Sequence, residues 1–188
     1  MFKFMEEKMK ATGIIRKIDD LGRIVIPKEI RKRMKIREGD TLEIYVEKTG
    51  EVILKKYEPL YEMKSTIETY AETLASTTNL LVLITDNKKI IAASGTGRRE
   101  YLGADITEEI AAIISRRNTW STKENQIVKV ISENTKDKIY SEAIVPIISD
   151  SDLLGAVIII STDSKRLIGE WEIKLAQVAS TLLGKQME

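Results

Sequence analysis

The side chains with the most evident chemistry are cations. Between Lys10 and Arg37 stand ten Lys/Arg (10, 16, 17, 23, 28, 31, 32, 33, 35 and 37) against three acids, Asp19, Asp20 and Glu29. They are interleaved with short β-branched runs in TGIIRKIDDLGRIVIPKEIRKRM, residues 12–34, so they belong to an ordered surface and not to a basic tail. A dense basic surface on a small β-rich unit has the electrostatics of a duplex-DNA binder. The chain as a whole carries only +1, because residues 1–56 hold a net +5 and residues 57–188 a net −4. That asymmetry assigns nucleic acid to the front of the chain.

Residue types exclude most other chemistries. The 188 residues include no Cys and no His, which removes disulfides, thiolate metal sites, Cys nucleophiles and any catalytic imidazole. Glu108 and Glu109 are sequence neighbours that diverge by about 100° on a helix, so they do not form a facing acid/base pair. Gly95-x-Gly97 followed by Arg98 and Arg99 could meet an anion, but it lacks the third glycine of a dinucleotide fingerprint and the ending of a P-loop. A plain turn is the favoured reading. The chain is expected to be no enzyme, with no catalytic and no metal-binding residues. No apolar run reaches ~18 residues and the start lacks a signal-peptide core, so the expectation is a cytoplasmic, nucleoid-associated protein without a membrane partner.

The elements that must position the cations are short. Thr12–Ile18 reads as a strand, Asp19-Asp20-Leu21-Gly22 as a turn with Gly22 at positive φ, and Ile24–Ile26 as a second strand. Pro27 opens a two-turn helix over 27–34, where Ile30 and Met34 share one face and Lys28, Arg31, Lys32 and Lys35 the other. A solvated charged face is the plainer reading of such a helix, and the Arg density of the preceding strands argues against it. After a loop at 37–40, Thr41–Glu47 alternates, Thr49-Gly50 turns and Val52–Lys56 returns. Four strands this short cannot shield one another's apolar faces within one chain, and the simplest completion is a second copy.

These residues resemble the swapped-hairpin DNA-binding domain of AbrB-type transition-state regulators. The resemblance rests on GIIRKIDDLGRIVIPKEIR from Gly13, followed by Arg37-Glu-Gly-Asp. It implies a DNA-binding domain over 9–56, preceded by an extension at 1–8, in which two chains interleave into one barrel. Carried over by position, it implies DNA contacts from Arg16, Arg23, Arg31 and Lys32, with Lys17 and Arg33 as helpers. Lysine cannot fork to guanine or phosphate as arginine does, so a base-reading role at position 32 is weakened.

Residues 57–188 form the second domain. Leu60, Met63, Ile67, Tyr70 and Leu74 step by three and four along a helix near 60–76, a spacing that suits both a core face and a coiled-coil seam. Strands are expected at 80–85, 90–94, 127–131, 139–148 and 153–161, with a helix over 105–117. The final helix, near 165–186, carries Ile168, Trp171, Leu175, Val178 and Leu182 at the same spacing. AIVPIISDSDLLGAVIIIS resembles the closing hairpin of GAF domains, so the expected class is α+β, a swapped-hairpin barrel plus a GAF-like α/β sensor and oligomerisation domain. Family members with this layout imply a transcriptional regulator of sporulation genes, an activator or repressor, whose dimers are joined into a tetramer by the two helical stripes. No cofactor is implied. An unidentified small ligand is allowed, with a pocket expected between 98–117 and the strands at 127–131 and 139–148. The alternative is an antitoxin-like module that binds both DNA and a protein.

Overall fold

In the computed structural model the described residues run from 13 to 187, except 35, 37, 39, 40, 58, 123–125, 134 and 137. The expected extension at 1–8 therefore lies outside them. The chain divides into two compact units, Met1–Tyr57 and Glu58–Glu188.

The N-terminal unit contains helix α1 (Lys28–Arg33) and a hairpin of β1 (Leu42–Val46) and β2 (Val52–Lys56), in register from Leu42↔Lys56 to Val46↔Val52. Pro27 sits at the N-cap of α1, one residue before the position expected for it, and Glu29 lies in the positive first turn. The strands expected at 12–18 and 24–26 are absent: described residues 13–18 and 23–27 carry neither helix nor strand. The physical reason is visible in their side chains. Ile15 is 87% exposed, Ile18 65% and Val25 71%, so one chain offers these segments no apolar surface to lie on. Strand pairing in water needs such a surface.

The C-terminal unit is a five-stranded antiparallel sheet in the order β4-β3-β7-β6-β5. Its elements follow the chain as α2 (Pro59–Glu62), α3 (Lys64–Thr78), β3 (Leu81–Asp86), β4 (Ile90–Ser94), α4 (Glu108–Ser115), β5 (Trp120–Ser121), β6 (Ser141–Ser149), β7 (Asp152–Ser161) and α5 (Glu170–Lys185). Helices α3 and α5 cover one face, where Ile67 and Leu74 meet Val82, Ile84, Val157, Ile159 and Leu183. Helix α4 and residues 128–131 cover the other, where Ile110 and Ile114 meet Leu83, Ile144, Ile158 and Val128. Successive residues of β7 thus serve opposite cores, which is why 153–161 reads as an unbroken apolar run. The strand expected at 127–131 reduces to one isolated bridge, Ile106↔Ile131. It lies over the face of the sheet and not in it.

One close approach fixes α5. A Cβ on Gly184 would overlap the carbonyl oxygen of Ile148 on β6. Gly184→Ala is therefore expected to lift α5 from the sheet and cost about 1–3 kcal/mol, the range for overpacking, read as a lower urea midpoint. A midpoint equal to that of the parent chain would contradict this packing.

Candidate nucleic-acid interface

Arg16, Lys17, Arg23, Arg31, Lys32 and Arg33 are all exposed. The best-defined is Arg23. Asp19 closes a turn in which its Oδ1 accepts the N–H groups of Leu21 (3.0 Å) and Arg23 (2.8 Å). Gly22, at φ +75, donates its N–H to the Asp19 carbonyl, as the expected positive φ requires. The same Asp19 receives the Arg23 Nε–H at Oδ2, 2.8 Å away. Backbone and side-chain hydrogen bonds from Arg23 hold the Asp19 carboxyl below its ordinary pKa. Anchored at Nε, the guanidinium keeps its Nη edge for an outside anion, phosphate or guanine.

The remaining cations are held less firmly. Arg16 donates from Nη1 to the neighbouring Ile15 carbonyl at 3.0 Å. Arg31, Lys32 and Arg33 occupy the last turn of α1, where cations suit the helix dipole, and Ile30 is the half-buried residue of that helix. Lys35, expected on the same face, lies outside the described residues. Asp19 was not singled out by sequence reasoning as the anchor of Arg23. The Asp-x-x-Gly turn pattern was the available signal.

In the C-terminal unit the two apolar stripes separate. Leu60, Ile67 and Leu74 are buried in the unit's own core, with Met63 and Tyr70 packed against it. These five residues, expected to join copies of the chain, thus serve the unit's own core in the single chain: the helix expected over 60–76 is broken at Met63, with Leu60 on α2 and Ile67, Tyr70 and Leu74 on the apolar face of α3 that covers the sheet. The other stripe divides: Leu175 is half-buried against the same core, and Ile168 precedes α5 instead of lying on it. Trp171 (67% exposed), Val178 (57%) and Leu182 (43%) face solvent at spacings of seven and four. Only this part of the candidate seam is available to a partner.

The segments between which a ligand is expected, 98–117, 127–131 and β6, contribute Tyr101, Ile110, Ile114, Val128, Ile131 and Ile144 to one buried apolar cluster. Within that core lies a carboxyl that sequence reading missed. Glu142 is wholly buried; its Oε1 accepts the Val128 N–H at 2.5 Å, and Oε2 has no hydrogen-bond partner among the described residues. Burial pushes it up to about 7, the Val128 N–H pulls it down, and the Glu109 carboxylate adds to the rise. Only its position inside the otherwise apolar SEAIVPIIS could have drawn attention to it.

Comparison with known proteins covers both units. A family model described as stage V sporulation protein T C-terminal, transcription factor, matches residues 62–188. A second, described as antidote-toxin recognition MazE, bacterial antitoxin, matches residues 15–61. Stage V sporulation protein T of Bacillus subtilis is 42% identical over 180 residues, 96% of this chain and 99% of the relative. The transition state regulatory protein AbrB of the same organism is 48% identical over 75 residues, 40% of this chain and 77% of the relative. Among solved structures, the GAF domain of Thermosynechococcus elongatus PixJ aligns with a TM-score of 0.51 over 70% of this chain and 90% of that one. At 18% identity this last likeness speaks for the fold alone.

Proposed function

The chain belongs to the stage V sporulation protein T family of transcription factors, and from that membership we propose that it regulates sporulation genes by binding duplex DNA sequence-specifically. The observation that carries the reading is the combination, in residues 15–33, of exposed Arg and Lys with exposed Ile and Val. Apolar side chains left bare in one chain call for a second copy, and that copy doubles the cations. Interleaving would cover Ile15, Ile18, Ile24 and Val25, and with them the exposed Ile44, Val46 and Val52 of the hairpin. Each fully buried side chain of this type contributes about 1.5–3 kcal/mol. Such a dimer would present Arg16, Arg23 and Arg31 twice, and short elements of this kind read DNA through phosphates, shape and a few base edges.

The exposed Trp171, Val178 and Leu182 on α5 would join two dimers into a tetramer, so that one assembly engages two DNA segments through effective concentration. Trp171→Asp with Leu182→Asp is expected to halve the mass seen by light scattering and leave the fold intact; an unchanged mass would remove α5 from the interface. We assign the chain no reaction, and a cytoplasmic site of action on the nucleoid. The antitoxin reading draws on the match of residues 15–61, but a toxin-covering tail is extended, whereas residues 58–188 enclose two cores of their own.

The test of the DNA reading is its salt dependence. Contacts to about 6–10 phosphates predict a 10³–10⁵-fold loss of affinity for duplex DNA between roughly 50 and 200 mM salt. Fluorescence anisotropy with a labelled duplex measures it. No binding at low salt would refute the proposal.

A further inference from the structure

The C-terminal unit has a concave site of its own. A cavity of about 210 Å³ opens between α2–α3, the start of β4 and the Leu102–Gly103 segment. Its floor is apolar and rigid: Leu60, Ile67 and Ile90 are buried, and Ile91 is half-buried beside them. Leu102, 57% exposed, forms the lip. That lip is held in position, because the Gly103 N–H donates to the Ile90 carbonyl (2.9 Å) and the Ile90 N–H to that of Ala104 (3.0 Å). Backbone hydrogen bonds thus fix one wall of the cavity to β4.

The mouth carries one charge of each sign. Lys64 and Glu68 stand one turn apart on α3, with Nζ and Oε1 separated by 3.9 Å and both side chains more than half exposed. An exposed pair at that distance contributes little to stability, so either charge can exchange its partner for a ligand's. A simple anion seated there would meet the Glu68 carboxylate, and a simple cation the Lys64 ammonium. A molecule with adjacent charges of both signs satisfies the two residues together.

We propose that this cavity binds a small zwitterion with an apolar side chain, the chemistry of a free α-amino acid. The carboxylate pairs with Lys64, the ammonium with Glu68, and the side chain rests on Leu60, Ile67, Ile90 and Leu102. The volume falls below the roughly 300–1,000 Å³ of sites for drug-sized ligands, which fits an occupant of amino-acid size. Five apolar lining residues, with Tyr61 exposed beside them and no buried polar side chain in the lining, select against a polar side chain, whose donors would be left unpaired. The inference goes beyond the DNA reading and does not depend on it.

The test uses the full chain without DNA and saturation-transfer NMR with L-leucine. Two probes of the same shape separate the head-group contacts: 4-methylpentanoate lacks the ammonium, and isoamylamine lacks the carboxylate. L-Leucine is expected to bind, and each probe to bind about tenfold more weakly, as for loss of one charge-assisted contact. Lys64→Ala and Glu68→Ala are expected to weaken L-leucine by a similar factor. Leu102→Asp, a change at an exposed lip, abolishes binding with the thermal transition retained. The proposal is overturned by absence of saturation transfer from L-leucine, L-isoleucine, L-methionine and L-phenylalanine up to about 20 mM, far above a millimolar Kd. Equal binding of the three leucine-shaped molecules, or leucine binding indifferent to Leu102→Asp, overturns it as well.

Discussion

Arg23→Ala is expected to weaken duplex binding by about 30-fold to 10⁴-fold while the protein keeps its oligomeric mass. One base- or phosphate-directed arginine contributes about 1–3 kcal/mol, and the proposed dimer loses two, about 2–6 kcal/mol in all. The fold is spared because Arg23 is an exposed side chain whose partner, Asp19, also lies at the surface. The Asp19 turn also keeps two of its backbone ties, from the N–H groups of residues 21 and 23, in the variant. Anisotropy titration against a labelled operator, with light scattering on the same samples, measures both quantities. Affinity within threefold of the parent would show that Arg23 faces away from DNA. Arg23→Lys discriminates further: a partial rescue points to phosphate, whereas a loss as deep as that of alanine points to a forked contact with guanine.

Stability should fall between about pH 4.5 and 7 through one residue, Glu142. Its ordinary pKa near 4.5 rises to about 7 in the folded chain, chiefly through burial, with the Glu109 carboxylate adding to the effect. The folded state therefore holds the proton more tightly than the unfolded one. The stabilisation is complete below the unfolded value, is lost as pH rises through 7, and is constant above it. A rise of that size corresponds to about 3 kcal/mol. Glu142→Gln removes the titration and is expected to flatten the urea midpoint between pH 5 and 8. Above pH 7 it should be the stronger protein, because the neutral amide avoids burial of a carboxylate. The same slope in the parent and the variant would exclude Glu142 as its source.

The N-terminal unit shows how strand composition can fail to give a strand. The β-branched run from Ile14 to Ile18 and the Ile24–Ile26 triplet have strand composition, yet neither forms a strand here. Strand composition acts only where an apolar face is covered, and the exposed Ile15, Ile18 and Val25 have no such cover among the described residues. The hairpin β1–β2 is local and pairs as expected from its alternation and its Thr49-Gly50 turn. The stripe shared by α2 and α3 behaves differently. Leu60, Ile67 and Leu74 have a spacing common to coiled-coil seams and core-facing helices, and periodicity alone cannot say what an apolar face meets. On α5 the same spacing divides between Leu175, turned toward the core, and Trp171, Val178 and Leu182, turned outward.

By itself the sequence determined the distribution of charge, the absence of imidazole and thiol chemistry, the two-domain layout, and the run of Arg and Lys from 16 to 33. These are properties of residue types and short-range order, which no packing can alter. Tertiary structure alone decided that Asp19 anchors Arg23, that Glu142 is buried with one oxygen unpartnered among the described residues, and that a cavity opens beside Lys64 and Glu68. The first depends on how one turn closes, the others on distances between residues remote in the chain and on exclusion of water. Only closure of the turn and of the two cores sets them.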